Sequence, residues 1–380
     1  MRTLGKMIFI GLVATTGCKW TDFDDLEGET WVRSVEKPND DSSDFGIALA
    51  RGGGAGKLAV LGSNQPQYFE LALDPTRSVD TQDPQLLEPA APGVVLDQAL
   101  LISNDSGVGA DEVALVTAAR DGIYVLQGTG ELLPATSPII GTTGPLSAAT
   151  FGPTTDAAKR APIVVAGTEA YFADVGTACD VGPGPVHGIG ATSGNQIVVW
   201  GGGEVRSYDV AIAGTAVTCT AAGTAATSPY VPTAGSRILM ADDTHALLVG
   251  HQGVTSTVGY LALCDLTAAT CTALPDGALE GLRTATLLTI GTQPYVFLGY
   301  PRANPGGSTA GQVEGRKLDV ANATSPFGTV EITLHDAQPD DSNQQFGRAL
   351  AATEVGGIDI LAVGADNEVF VYFRTKLYGE

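Results

Sequence analysis

The sequence predicts an all-β chain folded as a seven-bladed β-propeller, and three observations carry that expectation. Short apolar runs, most of them ending in glycine, return seven times: LAVLG at 58–62, EVALVTA at 112–118, PIVVAG at 162–167, IVVWG at 197–201, ALLVG at 246–250, YVFLG at 295–299 and ILAVG at 360–364. Their last residues lie about 50 apart on average, the length of one four-stranded blade. Val, Ile, Leu and Tyr runs are broken throughout by Gly, Asn, Asp and Pro, and no long stretch has helical periodicity. The chain has 380 residues, 49 of them glycine, which exceeds most compact single cores and suits a closed array of repeats.

The repeats place blade cores at 44–73, 96–127, 145–175, 186–221, 236–274, 282–320 and 345–373; six or eight blades are the alternative counts if one weak repeat is misread. The last repeat runs out at Glu380 without a fourth strand, while an orphan strand at 30–37 precedes the first. Aligned with 329–336, that orphan is the fourth strand of a blade. It is therefore expected to complete blade seven and close the ring, which removes edge strands that would otherwise pair with other chains. Glycines at the strand ends fit tight turns and close backbone approach.

The N-terminus reads as an address. Arg2 and Lys6 precede an apolar stretch at 7–14, and then come Thr15, Thr16, Gly17 and Cys18. Roughly 10 apolar residues cannot span a bilayer core of about 30 Å, so this is an export signal rather than a transmembrane helix. The last four residues resemble the lipobox of bacterial lipoproteins, although Thr15 stands where an aliphatic residue is usual. The resemblance implies that Cys18 is acylated and becomes the first mature residue. Several acyl chains would hold the chain at a membrane where one chain is marginal. Lys19 follows, and by resemblance to Gram-negative lipoproteins the absence of Asp there favours the outer membrane. The expected organisation is a signal at 1–17, an acidic tether at 18–29 and a propeller at 30–380.

Charge narrows the partners. Asp and Glu number 42 against 20 Lys and Arg, for a formal charge of −22. No basic cluster exists to neutralise phosphates, so nucleic acid is excluded as a partner. An envelope or extracellular protein or glycan remains, with the membrane engaged through the lipid. Cysteine usage agrees with export. Cys264 and Cys271 flank 265–270 in what reads as a hairpin, where facing positions can meet disulfide geometry. Cys179 and Cys219 sit at similar points of successive repeats and form the second candidate pair. Zinc is disfavoured, because no Cys-x-x-Cys occurs and His187, His245, His251 and His335 are scattered.

Two stretches, 30–73 and 329–373, resemble one another along their length. Each runs strand, polar loop, Phe-Gly, strand, Gly-rich turn, strand ending in Gly, turn, strand. Phe45-Gly46, Phe346-Gly347 and the segment Gly299-Tyr300-Pro301 resemble the FG-GAP repeat of integrin α-type β-propellers. Repeats two to five share only the period and strand pattern. The resemblance implies calcium loops between the first two strands of some blades. The best match is 104–112, where Asn104, Ser106 and Glu112 fall at oxygen-ligand positions and Val108 replaces a central carboxylate. The loops 39–44 and 340–343 read as structural turns capped by their own Asx and Ser side chains.

Catalytic signatures are missing from the sequence. There is no Gly-x-Ser-x-Gly elbow, His-Glu-x-x-His helix or P-loop, and Gly52–Gly54 and Gly201–Gly203 open no helix. Asp242-Asp243-Thr244-His245 is the one local cluster of acid and imidazole, and it reads as a turn between strands. The expected function is a non-catalytic, lipid-anchored surface or envelope module that binds a protein or glycan through loops on one face. The alternatives are a polysaccharide-active enzyme using the channel and a structural part of an envelope assembly. Each would be built without a cofactor, calcium apart.

Overall fold

The computed structural model describes residues 30–36, 45–53, 56–62, 67–74, 79–81, 85–86, 99–104, 108, 110, 112–119, 122–129, 132, 139, 146–182, 184–251, 258–274, 279–303, 311–335 and 345–375. The signal, Cys18, the tether and the polar loops at 39–44 and 340–343 lie outside them. All described elements are strands. β1 (Thr30–Glu36) precedes blade one, which is β2 (Ala48–Arg51), β3 (Lys57–Gly62) and β4 (Gln67–Leu73) with two short outer pieces, β5 (Val79–Thr81) and β6 (Gln85–Leu86), both paired to β4. Blade two is β7 (Ala99–Ser103), β8 (Val113–Ala119) and β9 (Gly122–Gly128). Blade three is β10 (Leu146–Pro153), β11 (Arg160–Ala166), β12 (Glu169–Phe172) and β13 (Thr177–Asp180).

Blade four is β14 (Val186–Ala191), β15 (Gln196–Gly201), β16 (Glu204–Ala213) and β17 (Ala216–Thr227). Blade five is β18 (Arg237–Met240), β19 (His245–His251), β20 (Gly259–Asp265) and β21 (Thr270–Ala273). Blade six is β22 (Thr284–Ile290), β23 (Gln293–Tyr300), β24 (Gln312–Leu318) and β25 (Phe327–His335). Blade seven is β26 (Ala349–Val355), β27 (Ile358–Ala365) and β28 (Glu368–Thr375), completed by β1. The seven sheets settle the count at seven blades.

The apolar repeat signal is the second strand of each blade, and packing explains why. That strand has neighbours on both edges and a blade against each face, so nearly every position is buried and the run loses its alternation. In β27 all eight residues are buried, whereas the outer strand β17 is mostly exposed. The core accordingly lies between blades. Phe45, Val60 and Phe69 pack with Ile360 and Val371 across blades one and seven. Phe297 and Val313 pack with Phe346 and Val363 across blades six and seven.

Ring closure follows the expected route. β1 pairs antiparallel with β28 from Thr30 opposite Arg374 to Glu36 opposite Glu368. The two Phe-Gly pairs occupy equivalent places: Phe45 meets Phe69 edge-on at 5.0 Å and Phe346 meets Phe370 at 5.2 Å. Gly46 and Gly347 hold φ of +87° and +89°, a region open to glycine. A Cβ on Gly299 would collide with the carbonyl oxygen of Gly347, and one on Gly364 with that of Gly46. The glycine ending the second strand is thus the seat for the Phe-Gly turn of the next blade.

Both candidate disulfides are formed. Cys264 and Cys271 are direct partners across β20 and β21, with Cα atoms 4.0 Å apart. Cys179 and Cys219 join the outer strands of blades three and four, with Cα atoms 5.7 Å apart. Two disulfides point to a chain that matures in an oxidising, exported setting. Among the described residues no helix is long and apolar enough to cross a membrane.

Candidate functional site

The loop singled out for calcium is organised around its asparagine. Asn104 is buried, and its Nδ2 donates to the carbonyl oxygens of Val108 and Ala110, both at 2.8 Å. Those carbonyls face the amide, Val108 brings no side-chain oxygen, and the Glu112 carboxylate accepts a hydrogen bond from Gln127 on β9. Ser106 lies outside the described residues. The described part of the loop is a turn stapled by the Asn104 amide. No group of three or more metal-binding side chains is gathered among the described residues.

The acid and imidazole cluster is a capped turn between β18 and β19. Asp242 Oδ1 accepts from the backbone N–H of Thr244 at 2.7 Å and of His245 at 2.8 Å, and from Thr244 Oγ1 at 2.8 Å. Burial works to raise the Asp242 pKa. The hydrogen bonds from Thr244 and His245, with the imidazole's charge, outweigh it and hold the carboxyl below its ordinary value. Asp242 and Thr244 both address Nδ1 of His245, so the acid and the hydroxyl are not on opposite sides of the ring, as a relay requires. Asp243 instead reaches the next blade, accepting from the backbone N–H of Ser193 at 2.6 Å and from its hydroxyl.

Topology separates the two faces of the ring. In an antiparallel four-stranded blade, the turns after the first and third strands lie at one end and the other connections at the opposite end. On the first face sit tight turns such as 192–195, 241–244, 291–292 and 356–357. Connections of nine or more residues join strand ends on the second face at 228–236, 274–283, 301–311 and 336–348, while 104–112 lies on the first face and 129–145 leaves from it. A shallow cleft on the second face of blade four is lined by Gly182, Gly184, Gly201, Glu204, Arg206 and Tyr208.

Arginines stand where the innermost strands enter from that second face. Arg348 precedes β26, Arg283 precedes β22 and Arg237 begins β18; Arg302 follows β23 at the same end. Arg348 is held by Asp366 Oδ1, and Asp366 Oδ2 also accepts from Gln345 at 2.9 Å. The backbone N–H of Arg283 donates to the Gly299 carbonyl at 2.9 Å. Burial, with the nearby Arg302 charge, lowers the Arg283 pKa. Burial also lowers that of Arg237, although water reaches this side chain. All these guanidinium groups stay charged at neutral pH.

Further polar side chains share one face of blade six. Glu314 accepts from Gln312 at 3.0 Å and from Arg316 at 3.3 Å. Burial and then the Glu314 charge raise the Tyr300 pKa, while burial lowers that of His335 against the Gly311 backbone and Glu314. Glu204 and Arg206 repeat the pairing on blade four at 3.3 Å. The mouth arginines, and Gln312, Glu314 and Arg316 of this cluster, were not among the residues singled out from sequence. One signal was there to read: a basic residue at the start of three successive repeats, in Ser236-Arg237, Leu282-Arg283 and Gly347-Arg348, within an acidic chain.

No family model and no curated protein matches this chain. Among solved structures, a protein of unknown function from Dyadobacter fermentans DSM 18053 is similar, with a TM-score of 0.49 and 13% sequence identity over 90% of this chain and 99% of that one.

Proposed function

We propose that the chain is an exported lipoprotein, anchored through Cys18, whose FG-GAP-type propeller is a non-catalytic binding module for an envelope or extracellular protein or glycan. The observation that carries this reading is the inequality of the two faces. One face carries mostly short turns, and the other takes most of the long connections. A rigid ring with variable connections on one side is suited to recognition rather than chemistry. The formal charge of −22 weighs against nucleic acid as partner. An outer-membrane address rests on the lipobox-like 15–18 and on Lys19. The binding needs no cofactor.

A photo-crosslinking residue placed at each face tests the reading in intact cells. Val231, 71% exposed, lies on the long-connection face, and Ala268 lies in a turn of the opposite face. A defined adduct from position 231 and none from 268 is the expected result. The reverse pattern, or no adduct from either, would overturn the assignment of face. Cys18→Ser should move the protein from the membrane fraction to the soluble one; unchanged fractionation would refute the anchor.

A further inference from the structure

The outer strand of a propeller blade leaves one edge of backbone unpaired, and native proteins blunt such edges with shortness, charge, proline or irregular register. Most outer strands here obey. β13 and β21 have four residues each, and β5 has three. β1 carries Arg33 and Glu36, and β25 carries Glu331 and His335 with shifts in its pairing to β24. β17 departs from all of them. It runs 12 residues, Ala216–Thr227, with no charged residue and no proline. It lies within 210–236, 27 residues without Asp, Glu, Lys or Arg and the longest such run in the sequence. Among the described residues no strand pairs with its outer edge.

The hairpin that carries β17 fixes which groups face outward. Ala213 pairs with Ala216 around the two-residue turn Gly214-Thr215, and pairing continues without a shift to Ser207 opposite Ala222. A two-residue turn closes on a hydrogen-bonded pair, and such pairs alternate along an antiparallel ladder. Ala216, Thr218, Thr220 and Ala222 therefore bond β16, while the N–H and C=O groups of Val217, Cys219 and Ala221 point away from it. Among the described residues no backbone hydrogen bond from outside the sheet reaches those three. The Cys219 sulfur is already bonded to Cys179, so what this edge offers is backbone.

The order of side chains says which strand matches the edge. On either side of Cys219 stand Thr218 and Thr220, then Val217 and Ala221, then Ala216 and Ala222. An antiparallel copy related by a twofold axis at Cys219 sets Thr218 opposite Thr220 of the second copy, and the outward groups of Val217 opposite those of Ala221. Threonines facing one another across strands are a favourable pair. Charge agrees with a second copy. Chains of formal charge −22 repel one another in general. Within this hairpin the charge nearest the axis is Asp209, opposite Thr220 on β16. It would stand three strand spacings, about 14 Å, from its counterpart, beyond a Debye length of about 8 Å.

We propose that β17 is a homodimerisation edge, at which two copies of this chain join their fourth blades into one continuous antiparallel sheet through 217–221. The contact is isologous and closes on itself, so it makes dimers rather than fibres. A strand edge falls short of the roughly 800 Å² per partner of a stable interface, so the dimer is weak and forms as concentration rises. The inference is independent of which propeller face binds a partner.

Sedimentation equilibrium of the purified full chain in a non-ionic detergent, from low to high micromolar concentration, tests it. A reversible shift from one copy to two is expected. Ala221→Pro removes an outward N–H and leaves the β16 ladder intact, and Thr218→Lys sets like charges near the axis. Each should weaken the dimer at least tenfold. Thr218 is exposed, so its variant keeps the test valid even if Ala221→Pro fails to fold. Ala268→Lys, in an exposed turn of blade five, should leave the association unchanged. A single copy at every concentration, a dimer that survives either folded edge variant, or one weakened equally by Ala268→Lys would overturn the proposal.

Discussion

Two arcs of the same ring are held together by different means. From blade six through seven to one, neighbours are joined by backbone: a strand-ending glycine, Gly299 or Gly364, seats the Phe-Gly turn of the next blade. From blade three through four to five, the joints are made by side chains. Arg160 on β11 donates to the Ser193 and Gly194 carbonyls of blade four, and Ser193 in turn donates to Asp243 of blade five. A disulfide ties the outer strands of blades three and four, and Trp200 of blade four meets Tyr260 of blade five edge-on at 5.5 Å. A glycine joint tolerates no added atom, because a backbone carbonyl has nowhere to go. A side-chain joint distributes the same task over several residues, each replaceable at modest cost. Repeats in the first arc therefore keep a visible motif, and repeats in the second keep only the period.

The largest expected effect tests the closure of the first arc. Deleting 30–36 leaves the outer edge of β28 unpaired while β27 still pairs its inner edge, and so exposes a long apolar edge. The truncated chain should lose its cooperative thermal transition and aggregate, seen by calorimetry and light scattering. A sharp transition at the original temperature would show that β1 is dispensable.

Gly299→Val should follow, destabilising by about 3 kcal/mol or more through overpacking against the Gly347 carbonyl. Gly202→Ala, in open space at φ +59°, should cost only about 1 kcal/mol in the same denaturant titration. Equal losses would erase the distinction between a joint glycine and a turn glycine. In the second arc, the disulfides should rank by the loops they close. Removing Cys179–Cys219, separated by 40 residues, should cost about 4 kcal/mol, against about 2.5 kcal/mol for Cys264–Cys271, separated by 7. The opposite ranking would mean that the inter-blade bond contributes nothing beyond its hairpin counterpart.

The smallest effect is a pH dependence shared by both arcs. Burial lowers the pKa of His187 in blade four and of His335 in blade six below the ordinary 6.5. The unfolded chain then binds protons that the folded chain resists, so stability is full above pH 6.5 and declines as pH falls from there toward the folded values. His187→Gln should flatten part of that slope and His335→Gln another part, read from thermal midpoints across the acid range. A slope unchanged in both variants would place the acid sensitivity elsewhere.

Strand content, repeat length and the closing strand were legible because each depends on short-range pattern; the outer strands were less so, since the expected cores at 145–175 and 282–320 stop short of β13 and β25. Buried second strands are apolar at most positions, tight joints demand glycine, and a fourth strand missing at one end has its counterpart at the other. The pairing of Cys264 with Cys271 was legible for the same reason, since a hairpin places facing residues close in sequence. The partnership of Cys179 with Cys219 was only one candidate pairing, because it depends on how two blades pack. The contacts of Asn104, whose amide donates to the Val108 and Ala110 carbonyls, carried no signature in the sequence. What only the tertiary structure decided is which residues meet across blades: the clamp from Arg160 to Asp243, and the edge-on meeting of Trp200 with Tyr260. Those neighbours are separated by dozens of residues along the chain. Their meeting is fixed by the angle and register at which separate sheets pack, and no local pattern of residues encodes that.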